Sequence, residues 1–269
     1  MTVQTTMPIT ALRTLVRLGD AHTARALRTG GGVLIGLAAE DTPVTWPDDA
    51  GHVLVAAGGG GGTTTVLRTL AAQSLARGQL VDILDLDQRG PSHPWATAVE
   101  NVSYFRRIPA IHDHLIGLFD ELRHAAAPRP QRLIVIEHAE RLVFALRQFW
   151  SDTRPDSQLA EAPGVEALQM LLGAGPASGI RIAAGSPQGL GRHFGTAIAD
   201  LFPTRLLAYA GQTLWARIAP EIWPVPPVSV IPGRLHAVRD RTATRLQALY
   251  LSESEAHAWA RGATPKELR

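Results

Sequence analysis

Cysteine is absent from this 269-residue chain, which excludes disulfides and thiolate metal sites. Lysine is nearly absent as well: Lys266 is the only one, and every other cation is arginine. Any role that needs a lysine therefore falls to Lys266 or goes unfilled. Long apolar runs are also missing. The longest, such as residues 133–136, are strand-sized, far below the ~20 residues a membrane span needs. The N-terminus lacks the basic start and apolar centre of a signal peptide. Together these features predict a soluble, cytoplasmic protein with no membrane span. The histidines show no HExxH pattern, and His112 and His114, two apart, would point in different directions on a helix. No dedicated metal site is expected from them. A formal net charge of +2 is too small to argue for a nucleic-acid partner by itself.

What is present reads as one large α/β domain. Residues 9–28 have the pattern of a helix, with Leu12, Leu15, Val16 and Leu18 among its apolar positions, ended by Gly30–Gly32. Residues 33–37 and 43–46 read as a strand hairpin. From residue 52 the pattern becomes alternation of apolar strands (52–56, 80–86, 132–136, 180–184, 205–210) with helices (64–77, 111–124, 165–172). Strands apolar on both sides argue for a mainly parallel sheet flanked by helices. Residues 151–163 read as a surface insertion. Residues 220–232 carry five prolines and are expected to be extended or turned. A closing strand pair over 233–251 turns around residues 240–242. The predicted organisation is an N-terminal helical segment (1–30), the main α/β domain (31–251) and a C-terminal tail (252–269).

The run Ala57–Gly58–Gly59–Gly60–Gly61–Gly62–Thr63–Thr64–Thr65 joins a predicted buried strand to a predicted helix. Backbone N–H groups converge at such a turn, and the helix dipole adds partial positive charge, so the turn suits an anion. It fits the spacing of the phosphate-loop pattern G-x-x-x-x-G-K-[ST], with Gly62 and Thr64 in agreement. Ala57 takes the place of the first glycine and Thr63 that of the lysine. Thr63 can donate a hydrogen bond but supplies no charge to a terminal phosphate. A glycine run is also compatible with a ligand-free connection.

In proteins with such loops a second buried strand ends in acidic residues that serve Mg²⁺ and the attacking water. Here Leu133–Ile134–Val135–Ile136 is followed by Glu137 and His138. Glu137 stands where the metal-side acid is expected and, with Thr64, is the candidate Mg²⁺ pair. His138 stands where a catalytic acid would be and is a candidate base. The alternative is that both merely cap the sheet. Glu140, further on, is a second candidate for the missing acid.

The order of these segments resembles the motor domain of the FtsK/SpoIIIE family of hexameric DNA translocases, from about Gly32 to Leu251. Gly51–His52–Val53–Leu54–Val55–Ala56 is similar to the family's "PHLLVAG", and Thr64–Thr65–Val66–Leu67–Arg68 to its "SVLLR". Asp85–Leu86–Asp87–Gln88–Arg89–Gly90 is similar to "DPKG". Residues 178–187 fall where the family has "GIHLILATQRP", Phe202–Pro203–Thr204–Arg205 is close to "NFPTRI", and Pro232–Gly233–Arg234 to the final "PGR". The resemblance implies a RecA-like P-loop fold, with ATP and Mg²⁺ as ligands. The departures at Thr63, Glu137–His138 and Gly185–Ser186 fall on chemistry, so a degenerate, weakened site is expected. Arg205 is implied as a phosphate or subunit contact, with a structural salt bridge as the alternative. Implied partners are double-stranded DNA, touched by arginines such as Arg106–Arg107, Arg192 or those over 239–245. A homo-hexamer, or association with an active FtsK-like ATPase, is implied as well. A working ATPase and a protein-interaction module like the degenerate ATPase domains of type VII secretion are the rival expectations.

Overall fold

A computed structural model of the protein describes residues 12–124, 130–187, 189–264 and 267. Its strands, in chain order, are β1 (Val16–Arg17), β2 (Val33–Leu37), β3 (Pro43–Trp46), β4 (Val53–Ala57), β5 (Leu80–Leu84), β6 (Val102–Phe105), β7 (Arg132–Ile136), β8 (Ile180–Gly185), β9 (Thr204–Ala208), β10 (Arg234–Arg239) and β11 (Thr242–Tyr250). The helices are α1 (Ala21–Thr29), α2 (Thr63–Ala76), α3 (Ile108–Arg123), α4 (Ala139–Thr153), α5 (Pro163–Ala174), α6 (Gly191–Phe194), α7 (Ile198–Leu201), α8 (Gln212–Ile218) and α9 (Glu253–Ala260).

The strands form one sheet in the order β3-β2-β11-β10-β9-β4-β8-β7-β5-β6, with β1 added parallel to β11. From β9 to β6 every neighbouring pair is parallel, whereas β3, β2, β11, β10 and β9 pair antiparallel. The parallel half is covered on both faces, which is why its strands are apolar throughout. On β4, Val53, Val55 and Ala57 enter one core with residues of α2 and α9. Leu54 and Ala56 enter the other, shared with α3, α4, α5 and α8. Because β4, β5, β7, β8 and β9 run the same way, Gly58, Asp85, Glu137, Ser186 and Tyr209 emerge along one edge of the sheet. Open α/β sheets bind ligands at that edge.

Several expectations are corrected. The helix expected over 9–28 is a short strand, a turn and then α1, with residues 9–11 outside the described part. Val16 and Leu18 are buried while Leu15 is 49% exposed, an alternation of strand type. Asp20 ends it by accepting a hydrogen bond from the Arg17 amide at 2.9 Å. The strand expected to reach residue 86 stops at Leu84, because the Asp85 carboxylate turns back to take the Asp87 amide at 2.9 Å. Helix α4 fills the segment after Glu137 and runs into the expected insertion as far as Thr153. The closing hairpin turns at Asp240 and Arg241, both left-handed (φ 49° and 60°), as a tight two-residue hairpin turn requires. Residues 220–232 carry neither helix nor strand. Among the described residues no helix is long and apolar enough to cross a membrane.

Candidate nucleotide site

The glycine loop leaves β4 at Ala57, and four of its five glycines are individually required. A Cβ at Gly58 would stand 2.8 Å from the Tyr209 carbonyl oxygen. One at Gly61 would stand 2.6 Å from Ala57 Cβ and 2.8 Å from the Gly58 oxygen. Gly60 and Gly62 have φ of +76° and +86°, where side chains are strained. Only Gly59 faces open space in an ordinary conformation. This is a built turn rather than slack chain. It is pinned by Gly58 N–H to Ala208 O at 3.1 Å and Gly61 N–H to Gly58 O at 2.8 Å. The first bond into α2 is Val66 N–H to Gly62 O at 2.9 Å. The amides of Gly59, Gly60, Gly62, Thr63, Thr64 and Thr65 donate to no group of the described residues. These open donors at the start of a long helix make a nest for an anion.

The acidic side of the sheet edge lies beside the loop. Thr64 Oγ1 donates to Glu137 Oε2 at 3.1 Å, and Glu137 is only 1% exposed. Unexpected is His93, fully buried, whose Nε2 lies 2.7 Å from Glu137 Oε1 without the alignment of a hydrogen bond. Trp95 Nε1 donates to His93 Nδ1 at 3.4 Å, which leaves the imidazole proton on Nε2, toward the carboxylate. Behind them the Tyr104 hydroxyl accepts the His93 amide at 3.0 Å and donates to Asp85 Oδ2 at 2.7 Å. Burial raises the Asp85 carboxyl, but hydrogen bonds from Ser92, Asp87 and Tyr104 outweigh it and hold it below the usual carboxylate range. Burial, reinforced by the bond to Asp85, pushes the Tyr104 hydroxyl up.

The remaining candidates lie as follows. The Thr63 methyl group occupies space beside Gly185: a Cβ there would come within 2.8 Å of Thr63 Cγ2 and 2.4 Å of the Glu137 carbonyl oxygen. Thr65 Oγ1 is approached by Arg68, which is itself paired with Glu253 at 3.5 Å. His138 is exposed at the start of α4. Asp87 lies below the usual carboxylate range, chiefly through hydrogen bonds from Arg89, with His138 a lesser contributor. Ser186 donates to Glu140, which brings a second carboxylate to the end of β8. Arg205 is buried inside the fold, paired with Glu221 at 2.7 Å and donating to the Ile218 carbonyl at 3.1 Å. Lys266 lies outside the described residues.

His93, Tyr104 and Asp85 went unnoticed in the sequence as site residues. The available signal was Pro91–Ser92–His93–Pro94–Trp95, a proline-framed histidine just after a strand that ends in aspartate. The donor set of Thr64 and Glu137 is two hard oxygens 3.1 Å apart, a chemistry that fits Mg²⁺.

At the level of sequence, no protein family and no curated protein matches the chain. Its backbone does match solved structures. The pCW3 conjugation coupling protein TcpA, a monomer form with ATPγS, superposes with a TM-score of 0.66 at 13% identity, covering 91% of this chain and 72% of that one. ATPases 2 and 3 of Thermomonospora curvata EccC, in complex with a signal sequence peptide, give a TM-score of 0.64 at 18% identity, over 91% of this chain and 45% of that one. ATPases 2 and 3 of EssC from Geobacillus thermodenitrificans give 0.60 at 14% identity, over 95% and 51%. The chain thus spans about half or less of these secretion ATPase chains. It has the α/β fold of the P-loop ATPase domains in these conjugation and secretion proteins.

Proposed function

We propose that this chain is an FtsK/SpoIIIE-like P-loop domain with a degenerate nucleotide site. It serves DNA translocation, segregation or conjugative transfer as a weak nucleotide-binding pseudo-ATPase. The observation that carries this reading is Thr63 in the lysine position of a fully formed loop. No arginine or lysine of the described residues contacts the side chain of Thr63 or Glu137. Removing a preorganised charge of this kind commonly lowers turnover by orders of magnitude.

The chain's own residues divide the work simply. The open amides of Gly59, Gly60 and Gly62–Thr65 bind phosphate oxygens, and Thr64 and Glu137 would hold Mg²⁺. When bound, that ion supplies positive charge to the phosphates. His93 orients Glu137 from behind. Calorimetry of the full chain with ATP·Mg²⁺ and with a non-hydrolysable analogue tests the reading. Weak but saturable binding is expected; no heat at millimolar ligand removes the nucleotide.

Duplex DNA is the proposed partner, contacted through arginines, with the chain acting as a subunit of a homo-hexamer or beside an active FtsK-like ATPase. Affinity for duplex DNA should then fall steeply with salt. Binding to a protein but not to DNA would favour the interaction-module reading instead. The Thr64–Glu137 pairing favours one rival, a working ATPase that compensates for Thr63. DNA-stimulated turnover abolished by Glu137→Ala would establish it.

A further inference from the structure

We infer that Tyr209 is a positioning residue for the phosphate loop: its ring and carbonyl hold the glycines in the shape that opens their amides. This rests on the nucleotide-binding reading above and adds a residue to that same site. Glycine loses more conformational freedom on ordering than any other residue, and this loop has five in a row. The loop's own bonds are few: Gly58 N–H to Ala208 O and Gly61 N–H to Gly58 O, before Val66 N–H to Gly62 O starts α2.

Tyr209 stands where a brace is needed. A Cβ at Gly58 would lie 2.8 Å from its carbonyl oxygen and 3.3 Å from its Cβ, and one at Gly61 would lie 3.3 Å from its ring Cδ2. The same additions at Gly59, Gly60 and Gly62 would meet nothing within 4 Å. Both packed glycines of the loop therefore rest on Tyr209, with Ala57 as the other side chain against Gly61. Reaching the loop strains the tyrosine. It follows β9 directly with φ of 49°, and among the described residues it is the only aromatic one with a left-handed backbone. In an extended strand Ala208 and Tyr209 would face opposite ways. Instead both pack with the core that holds Ala57, while Ala210 enters the other core. The left-handed residue is the bend that lays the ring on the loop, and such outliers gather at ligand clamps. The hydroxyl donates to the Val230 carbonyl at 3.2 Å, which fixes the far end of the ring to the segment after α8.

The test is titration calorimetry of the full chain with ADP and with inorganic pyrophosphate, each in Mg²⁺. Tyr209→Asn keeps a residue that tolerates the left-handed backbone and removes the ring. It is expected to weaken both ligands about 10-fold, because the loop then has to be ordered as the ligand binds. Tyr209→Phe keeps the ring and loses only the hydroxyl, so both ligands should stay within about threefold of the parent. Tyr209→His, with a smaller ring, should fall between the two, which guards against an asparagine variant that fails to fold. Equal losses for ADP and pyrophosphate mark an effect exerted through the loop. Loss for ADP alone would make Tyr209 a contact of the nucleoside and overturn the inference. Binding unmoved in all three variants also overturns it and leaves the nucleotide-binding reading standing. Failure of the parent chain to bind either ligand at millimolar concentration overturns both.

Discussion

The two ends of β4 carry polar groups in opposite states. At its start His52 is 1% exposed and fully satisfied: Nδ1 accepts the Ile182 amide at 2.9 Å, and Nε2 donates to the Leu172 carbonyl at 3.0 Å. At its finish the amides of Gly59, Gly60 and Gly62–Thr65 are open. Buried polar groups are normally paired, so the end that leaves them open is where a ligand belongs. The difference also separates structure from function on one strand. His52 ties β4 to β8, whereas the loop exposes a surface that the fold itself does not need.

That contrast can be broken from either end. The largest effect expected is acid sensitivity from two buried histidines, His52 and His236. Burial pushes His52 and His236 down to about 4. The unfolded chain takes up protons near pH 6.5 that the folded chain refuses. Stability is therefore complete above that pH and is lost as pH falls toward 4, by on the order of 3 kcal/mol per histidine. Denaturant titrations across this range should show the loss, and a pH-independent midpoint would refute it. Next is His93→Ala, which strands the Glu137 carboxylate and the Trp95 N–H. It should cost about 2–3 kcal/mol and weaken Mg²⁺-dependent nucleotide binding. Gly61→Ala should cost about 2 kcal/mol and abolish nucleotide binding, because its Cβ meets backbone and Ala57. Gly59→Ala, in open space, should change stability by less than about 0.5 kcal/mol. Equal effects at Gly59 and Gly61 in thermal melts would mean that the loop is slack after all.

The parallel half of the sheet was legible because burial on both faces leaves unbroken apolar runs such as Leu133–Ile136. The loop was legible because it interrupts that pattern at a fixed spacing. Elements at the margins were not. Strand β6 is four residues on the sheet edge, paired only with β5, so half-burial leaves it a mixed sequence. Helix α4 buries Ala139, Leu142, Val143 and Leu146 while Phe144 stands 68% exposed, which blurs its period. Val16 and Leu18 fall in a stretch whose apolar residues fit a helix, although their spacing of two belongs to a strand. Within the site, Thr64 and Glu137 follow strands and could be placed from sequence. His93 could not, because the loop carrying it is fixed by the distant contacts of Asp85 and Tyr104.

The central claim is that this loop keeps the shape of a phosphate site after losing its reactive charge. The most direct measurement is ATP turnover by the full chain with Mg²⁺ and duplex DNA, compared with Glu137→Ala. Turnover equal to the protein-free rate in both is the expected result. DNA-stimulated hydrolysis that disappears in Glu137→Ala would contradict the claim.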